Sequence, residues 1–257
     1  MKVVILCGGK GMRMRGLTEN IPKALADVNG KPIIWHIMKH YSEYGHQEFI
    51  LPVGYKGDQI KDYFVNSAWR NNNIQIDLAN NQYTILEKTE PWTITCIDTG
   101  QDTMTGARIK QLEPYMDDDI FLLTYGDGLS DIDLDKLIAF HKEKGKAVTL
   151  TGIKKNNQYG VLDIEDGIAN RFSEKPILDD WINGGFFVCN KEFFQYLSAQ
   201  PDCVLEEEPL RKLIEKRELA VYLHEGTWIS IDTPKDLEDA RKIWKKNNRY
   251  KGERGLP

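Results

Sequence analysis

The sequence has little of what marks secreted, membrane-spanning or nucleic-acid-binding proteins. Its four cysteines, at positions 7, 96, 189 and 203, show no paired spacing, which argues against a zinc site or a disulfide framework and favours reduced thiols. No apolar run approaches the ~20 residues that a membrane-spanning helix needs. Outside the tail 242–251 there is no basic block, and the net charge is −5, so nucleic acid is an unfavourable partner. We therefore expect a soluble, cytoplasmic protein that binds neither membranes nor nucleic acids.

The common nucleotide-binding fingerprints are absent as well. A glycine-rich stretch near the N-terminus has its glycines at positions 8, 9 and 11, with no Gly-Lys-Ser/Thr ending. This spacing excludes both the P-loop and the Gly-x-Gly-x-x-Gly dinucleotide motif. Glycines at this spacing serve either a tight turn or a loop whose bare backbone N–H groups lie against phosphates.

A buried strand precedes this stretch, and two cations follow its first glycines. The apolar, β-branched run Val3–Leu6 is typical of a strand that is covered on both faces of a parallel sheet. Of the two cations, Arg13 suits bidentate phosphate binding, and Lys23 supplies a mobile point charge. The combination predicts a loop that faces a polyanion.

Along the rest of the 257-residue chain, apolar strands alternate with amphipathic helices. Apolar spacing predicts a helix over 33–41, and apolar runs predict strands over 48–55, 74–78 and 120–125. This alternation is typical of parallel strands with right-handed crossovers. From Gly160 onward, shorter alternating strands replace the pattern. We therefore predict an α/β, Rossmann-like fold: a central, mostly parallel sheet flanked by helices, with a smaller mixed or antiparallel β extension.

Two aspartates that follow apolar strands are candidates for metal binding. Asp127 comes directly after the run 120–125 and its glycine, and Asp232 follows the run 228–231. Ligands of open α/β sheets bind at the carboxyl ends of the strands, and Mg²⁺ prefers one or two carboxylates together with phosphate oxygens. The structural alternatives are a turn residue for Asp127 and a helix N-cap before Thr233 for Asp232.

The glycine-rich stretch resembles the signature of nucleotidyltransferases that join a nucleoside triphosphate to a sugar 1-phosphate. That signature is Leu-x-Gly-Gly-x-Gly-x-Arg-Leu followed by Pro-Lys, and this chain has LCGGKGMRM at 6–14 and Pro22-Lys23. Met12 replaces the usual Thr and Ala24 the usual Pro, and both departures spare the charged positions. Further matches follow in the family's order: YGDG at 125–128, EKP at 174–176, NGG at 183–185 and Thr-Pro at 233–234.

Within that family the chain resembles the glucose-1-phosphate cytidylyltransferases in particular, through the runs 30–38, 54–57, 98–100, 104–108 and 183–187. The resemblance implies the nucleotidyltransferase fold and transfer of CMP from CTP to a sugar 1-phosphate, above all glucose 1-phosphate. It also implies release of pyrophosphate, an Mg²⁺ cofactor and a homo-oligomer. We expect one domain over 1–257, in which 1–153 is the nucleotide-binding core, 154–230 binds the acceptor and 231–257 forms the C-terminal helix and tail.

The same resemblance implies a role for each matched residue. It assigns catalysis to Arg13, Lys23 and Asp127, and metal binding to Asp127 and Asp232. The implied nucleotide-binding residues are Leu6, Gly8, Gly9, Gly11, Arg13, Lys23, Thr105, Arg108 and Gly126. The implied acceptor-binding residues are Gly160, Glu174, Lys175, Asn183 and Gly184.

Three alternatives stay open at this point. Segments 154–159 and 177–181 flank the implied acceptor pocket and look unlike their counterparts in the glucose enzymes, which leaves another sugar phosphate or a non-sugar phosphate as acceptor. A metal-dependent glycosyltransferase would use Asp131 and Asp133 as an Asp-x-Asp motif, although both also fit the cap and first turn of a helix. A non-catalytic nucleotide-binding regulator would keep the fold without the reaction.

Overall fold

The computed structural model describes residues 1–9, 21–156, 161–165, 168–173 and 177–246, with side chains outside 155–180 and 245–246. The strands are β1 (Val3–Leu6), β2 (Asp27–Val28), β3 (Lys31–Pro32), β4 (Glu48–Val53), β5 (Ile74–Asp77), β6 (Gln82–Ile85), β7 (Thr93–Asp98), β8 (Ile120–Tyr125), β9 (Gly128–Ser130), β10 (Val148–Asn156), β11 (Val161–Glu165), β12 (Ile168–Ser173), β13 (Ile177–Asn183), β14 (Phe187–Asn190), β15 (Leu219–His224) and β16 (Trp228–Ser230). The α-helices are α1 (Ile33–Glu43), α2 (Gly57–Arg70), α3 (Thr105–Lys110), α4 (Leu134–Lys144), α5 (Glu208–Glu215) and α6 (Pro234–Lys246).

An eight-stranded mixed sheet forms the centre of the molecule. Its order is β13-β10-β14-β8-β1-β4-β7, and β15 also pairs with β10. The pairs β1–β4, β1–β8, β4–β7 and β10–β15 are parallel, whereas β14 runs antiparallel to β8 and β10. The predicted α/β architecture is therefore confirmed, and the carboxyl ends of β1, β4 and β8 lie at one edge of the sheet.

Helices cover both faces of this sheet, which explains the continuous apolar run of β1. Val3 and Ile5 belong to a buried cluster that includes residues of α1, α4 and α6. Val4 belongs to a second cluster, which includes residues of α3 and α5. Because successive side chains of a strand point to opposite faces, a strand between two helical layers has apolar residues at nearly every position.

One predicted strand of the parallel sheet was assigned to the wrong segment. Residues 74–77 form β5, which pairs with β6 as an antiparallel hairpin outside the central sheet. The third parallel strand after β1 and β4 is β7. The alternation in 74–78 does not mark a buried face, because Ile76 and Leu78 are 62% and 89% exposed. In β7, by contrast, Ile94 and Cys96 pack against the core.

The β extension after position 160 is confirmed. It contains the antiparallel hairpin β11–β12, and β13 runs antiparallel to β10. The strand β14 begins only at Phe187, because Gly185 and Phe186 both have positive φ angles, 73° and 49°. Among the described residues, no helix is both long and apolar enough to cross a bilayer.

A buried histidine makes the stability of this fold depend on pH. His141 of α4 is 1% exposed, with Nδ1 2.9 Å from Thr149 Oγ1 and Nε2 3.0 Å from Asn190 Oδ1. A neutral ring satisfies both contacts by accepting from the hydroxyl and donating to the amide oxygen. Burial lowers the pKa of His141, and it also lowers the pKa of His36 and His46.

We expect the free energy of unfolding to fall as the pH is lowered from 7 to 5. The unfolded chain binds protons on its histidines near pH 6.5, whereas the folded chain binds fewer, so acid favours the unfolded state. The substitution His141→Gln should cost about 1–3 kcal/mol at pH 7 and make this decline shallower. Urea unfolding at pH 7, 6 and 5 measures both effects, and an equally steep decline in the variant would contradict the assignment.

Candidate functional site

Strand register brings Asp127 and Asp232 together. Asp127 lies between β8 and β9, and Asp232 lies two residues after the end of β16. The strands β9 and β16 are antiparallel, with Gly128 opposite Ser230. Beyond that pair, the amide of Ile231 donates to the carbonyl of Asp127 over 3.0 Å. Two carboxylates from distant parts of the chain therefore meet next to the carboxyl end of β8.

Lys23 joins these two carboxylates. Its Nζ lies 2.7 Å from Asp127 Oδ2 and 2.9 Å from Asp232 Oδ1. The lysine side chain is 14% exposed and the aspartates are 34% and 36% exposed, so the cluster is open to solvent mainly on its acidic side. Lys23 starts a 3-10 turn whose next residue, Ala24, is buried, and this packing holds the lysine backbone in place. The three charges sum to −1.

The N-cap interpretation of Asp232 is wrong, because Thr233 occupies that position. The Oγ1 of Thr233 accepts from the amide of Asp236 over 3.2 Å, and the Asp236 carboxylate accepts from the amide and hydroxyl of Thr233, each over 2.8 Å. This reciprocal pairing is a capping box at the start of α6. The carboxylate of Asp232 instead accepts from Lys23 and, over 2.6 Å, from the hydroxyl of Ser230.

The first strand ends beside this cluster. Leu6 pairs with Tyr125 in the β1–β8 ladder, and the amide of Gly126 donates to the carbonyl of Leu6 over 2.9 Å. A Cβ at position 126 would lie 2.7 Å from that carbonyl oxygen. Glycine is therefore required at 126 so that the end of β1 can approach the turn that carries Asp127.

Arg108 supports the glycine loop from the interior. It is 3% exposed, and its guanidinium donates to the carbonyls of Gly8 and Gly100 over 2.9 and 2.8 Å and to Thr99 Oγ1 over 2.5 Å. Burial lowers the pKa of this guanidinium. A Cβ at Gly8 would lie 2.4 Å from Arg108 Nη1, whereas a Cβ at Gly9 would meet no atom within 4 Å.

A chain of hydrogen bonds links Thr105 to Asn183. Thr105 Oγ1 donates to Glu206 Oε2 over 2.9 Å, and the hydroxyl of Tyr125 donates to Glu206 Oε1 over 2.5 Å. Asn183 Nδ2 donates to the Tyr125 oxygen over 3.2 Å. Burial, with a smaller effect of the Glu206 charge, raises the pKa of Tyr125, so the phenol keeps its proton. One polar network thus connects α3, the end of β8 and the end of β13.

Gly184 fixes the segment after Asn183. Its amide donates to the carbonyl of Thr151 over 2.8 Å, and its carbonyl accepts from Trp228 Nε1 over 2.7 Å. A Cβ at this position would lie 2.9 Å from Ile153 Cγ2. Since Trp228 begins β16, the segment that carries Asn183 is tied to the strand that leads to Asp232.

Some residues named from the sequence lie outside the described residues. The nucleotide-side residues in this group are Gly11 and Arg13. The acceptor-side residues are Gly160, Glu174 and Lys175. Their assigned roles stay predictions.

The two aspartates of the Asp-x-Asp alternative have structural partners. Asp133 is the N-cap of α4, where Oδ1 accepts from the amide of Lys136 over 3.0 Å. Asp131 Oδ1 accepts from the amide of Thr227 over 2.8 Å and lies 3.2 Å from Nε2 of His224. These contacts fit the cap interpretation of Asp133 and give Asp131 a role in holding the turn before β16.

Sequence reasoning missed two residues of the site. The side chains of Ser230 and Asp232 lie on the same side of the chain and are hydrogen-bonded. Since residues two apart in an extended segment point the same way, this spacing could have predicted the contact. Glu206 stands in a run of three glutamates with no motif around it, so nothing in the pattern separated it from Glu207 or Glu208. Within the part of the chain that the structure describes, no group of three or more His, Cys, Asp or Glu residues is arranged to hold a metal ion.

Comparison with solved structures identifies the same architecture elsewhere. HddC from Yersinia pseudotuberculosis superposes with a TM-score of 0.69 at 24% identity, over 95% of this chain and 99% of that one. A putative glucose-1-phosphate thymidylyltransferase from Bacillus anthracis gives 0.70 at 16% identity, over 95% and 94%. At these identities the likeness establishes the fold alone.

Sequence comparison identifies the family. The probable glucose-1-phosphate cytidylyltransferase of Bacillus subtilis (strain 168) is 51% identical, over 95% of this chain and 96% of that protein. The glucose-1-phosphate cytidylyltransferase of Salmonella typhi is 42% identical, over 96% of each. The model of the nucleotidyl transferase family matches residues 2–247. The chain therefore belongs to the nucleotidyl transferase family.

Proposed function

We propose that this protein transfers CMP from CTP to glucose 1-phosphate and releases pyrophosphate. The observation that carries the proposal is the cluster of Lys23, Asp127 and Asp232 beside the end of β1, in a chain of the nucleotidyl transferase family. The identities of nucleotide and acceptor follow the names of the Bacillus subtilis and Salmonella typhi relatives.

The reaction needs no general base. A phosphate monoester has its second pKa near 6, so the acceptor oxygen that attacks the α-phosphorus of CTP is already largely ionised at about pH 7. The bond from the α-phosphorus to the pyrophosphate bridge breaks as the new bond to the acceptor forms, and the departing pyrophosphate takes the electron pair. Catalysis then rests on positioning and on neutralising charge.

Lys23 neutralises charge at the reacting phosphorus in this proposal. Its ammonium lies between the two carboxylates. Rotation about the bonds of the flexible side chain can move the ammonium from the carboxylates to the α-phosphate. Backbone N–H groups at Gly8, Gly9 and Gly11 cradle the triphosphate, and Arg13 binds the departing pyrophosphate.

The acidic pair suits Mg²⁺. Hard oxygen ligands from one or two carboxylates, completed by phosphate oxygens and water, are the donor set that this ion takes. Asp127 and Asp232 already converge on one cation, the Lys23 ammonium, within 2.9 Å. The ion, when bound, would supply Lewis-acid stabilisation of the phosphate charge. Ser230 holds the second oxygen of Asp232 and so orients this ligand.

The two ends of the polar network belong to the two substrates. Thr105 and Arg108 are the nucleobase-side residues. Arg108 acts indirectly, by fixing the backbone at Gly8 through a hydrogen bond to its carbonyl. Asn183 and Gly184, with Gly160, Glu174 and Lys175, bind the acceptor. Asn183 offers an amide donor to a sugar hydroxyl, and Lys175 would bind the acceptor phosphate.

Pyrophosphate release by the purified protein with Mg²⁺ tests the proposal. We expect turnover with CTP and glucose 1-phosphate among a matrix of four nucleoside triphosphates and several phosphorylated sugars and non-sugars. Asp127→Asn and Asp232→Asn should each lower kcat by about 10²–10³ because each removes a charge that holds the ion.

Asp133→Asn is the matched control for these two variants. Asparagine caps a helix as well as aspartate does, so this variant should keep both its stability and its activity. Turnover of CTP only with another acceptor would reassign the acceptor pocket. Full activity in Asp127→Asn, or no turnover with any pair, would contradict the proposal.

The lysine bridge predicts competition between Lys23 and a divalent cation. Lys23→Met should raise the affinity of the nucleotide-free protein for Mn²⁺ about tenfold, because the pair of carboxylates no longer has a bound ammonium. Titration followed by electron paramagnetic resonance of free Mn²⁺ measures this without turnover. Lys39→Met is the control, because it breaks the ion pair between Lys39 of α1 and Glu90. Equal affinities in the wild type and Lys23→Met would rule out the competition.

The contact between Gly8 and Arg108 predicts that two adjacent glycines respond differently to the same substitution. Gly8→Ala should lower the free energy of unfolding by about 1–3 kcal/mol and reduce turnover, because the new methyl group collides with the buried guanidinium. The methyl group of Gly9→Ala would contact no other atom, so the free energy of unfolding of this variant should be close to that of the wild type. Denaturant unfolding of both variants, followed by the pyrophosphate assay, makes the comparison; equal losses of stability would refute it.

A further inference from the structure

We propose that Glu206 is a positioning residue for the acceptor. Acting through Tyr125, it fixes the amide of Asn183 in the orientation that binds a hydroxyl of the sugar phosphate. The inference rests on the proposed function, which gives Asn183 its acceptor-binding role. It adds a residue that lies outside the sequence motifs and that contacts neither substrate itself.

The hydrogen bonds between these residues run in one direction. Asn183 Oδ1 accepts from the amide of Gly185 over 2.9 Å, which makes Nδ2 the atom that faces Tyr125. The phenol has a single hydrogen and donates it to Glu206, because a carboxylate only accepts. The lone pairs of the phenol oxygen are then left to accept from Asn183. Glu206 thus determines the polarity of the whole chain of bonds.

Glu206 is held firmly enough to play this part. Its second oxygen accepts from Thr105, whose Oγ1 also accepts from the amide of Leu205 over 2.9 Å. Leu205 is fully buried. A Cβ at Gly106 would lie 2.7 Å from Cys203 Sγ, so α3 and the segment before Glu206 are in direct contact. The carboxylate therefore sits on a rigid support rather than on a free loop.

The consequence for the acceptor follows from the donor count of an amide. Asn183 Nδ2 has two hydrogens, and Tyr125 takes one of them. The other has a fixed direction as long as Tyr125 accepts. Removing Glu206 frees the phenol to rotate and to donate elsewhere, and the amide then keeps only its hydrogen bond from Gly185. Binding of the acceptor should weaken, while binding of CTP is retained because the amide of Leu205 still holds the Thr105 side chain.

Steady-state kinetics on the full chain test this. We expect Glu206→Ala and Tyr125→Phe each to raise KM for glucose 1-phosphate about tenfold, the effect of one lost hydrogen bond, and to change KM for CTP by less than about twofold. Because both act in one chain of bonds, the double variant should resemble either single variant. Glu206→Gln should restore near-wild-type behaviour, since its amide oxygen can accept from Tyr125 while its NH₂ donates to Thr105.

Kinetics with deoxy analogues of the acceptor distinguish a positioning role of Glu206 from a purely structural one. The series consists of deoxyglucose 1-phosphates that each lack one hydroxyl. With one of these analogues as acceptor, the wild type and Glu206→Ala should have the same acceptor KM. The same analogue should abolish the effect of Asn183→Ala. A difference that persists across the whole series would overturn the proposal, as would equal increases in KM for both substrates.

Glu207→Ala is the matched control, because it removes the same charge from the adjacent exposed residue. It should leave both KM values unchanged, and thermal unfolding of every variant checks that the fold is intact. The wild type separates the two hypotheses: no turnover with CTP and glucose 1-phosphate contradicts the proposed function itself. Normal turnover in the wild type with an unaltered acceptor KM in Glu206→Ala and Tyr125→Phe contradicts only the role of Glu206.

Discussion

The antiparallel pairing of β9 with β16 is the constraint on which the site depends. Each strand has only three residues, yet the pairing of Gly128 with Ser230 determines where the following residues lie. A register shift of one residue would turn the side chain of Asp232, in the segment that continues β16, to the opposite face. Two neighbouring devices resist such a shift. Asp131 binds the amide of Thr227 at one end, and the capping box of Thr233 fixes the start of α6 at the other.

The same pairing brings two negative charges close together, and Lys23 offsets their repulsion. Two carboxylates that approach a common point repel one another, and partial burial increases the cost. An ammonium within 2.9 Å of both balances most of that repulsion in the free protein. In the proposed function, the lysine lies near the position that the triphosphate charge would occupy. A cation that stabilises this pair of carboxylates would then be available, without a large movement of the backbone, to stabilise the substrate.

The sequence predicted much of this arrangement, for identifiable physical reasons. The mainly apolar runs before Gly8 and Gly126 marked central strands, since strands that are covered on both faces consist mostly of apolar residues. The segment 74–78 misled because alternation occurs in exposed hairpins as well as in half-buried strands, and a single sequence does not report which face is covered. Glu206 was missed for a different reason. Its importance comes from tertiary contacts with Thr105 and Tyr125, which no local spacing encodes.

Arg108 shows how a buried cation can organise the backbone around a candidate site from the interior of the protein. Its guanidinium is buried among the oxygens of Gly8, Thr99 and Gly100, so its charge holds the backbone after β1 and the segment after β7 together. This packing explains why glycine stands at both Gly8 and Gly54, where a Cβ would lie within 2.5 Å of Arg108 Nη1. The proposed function requires such a support to be rigid, because phosphate binding through backbone N–H groups depends on their direction. The backbone at Gly8 is therefore held in place by a buried charge from the interior of the protein.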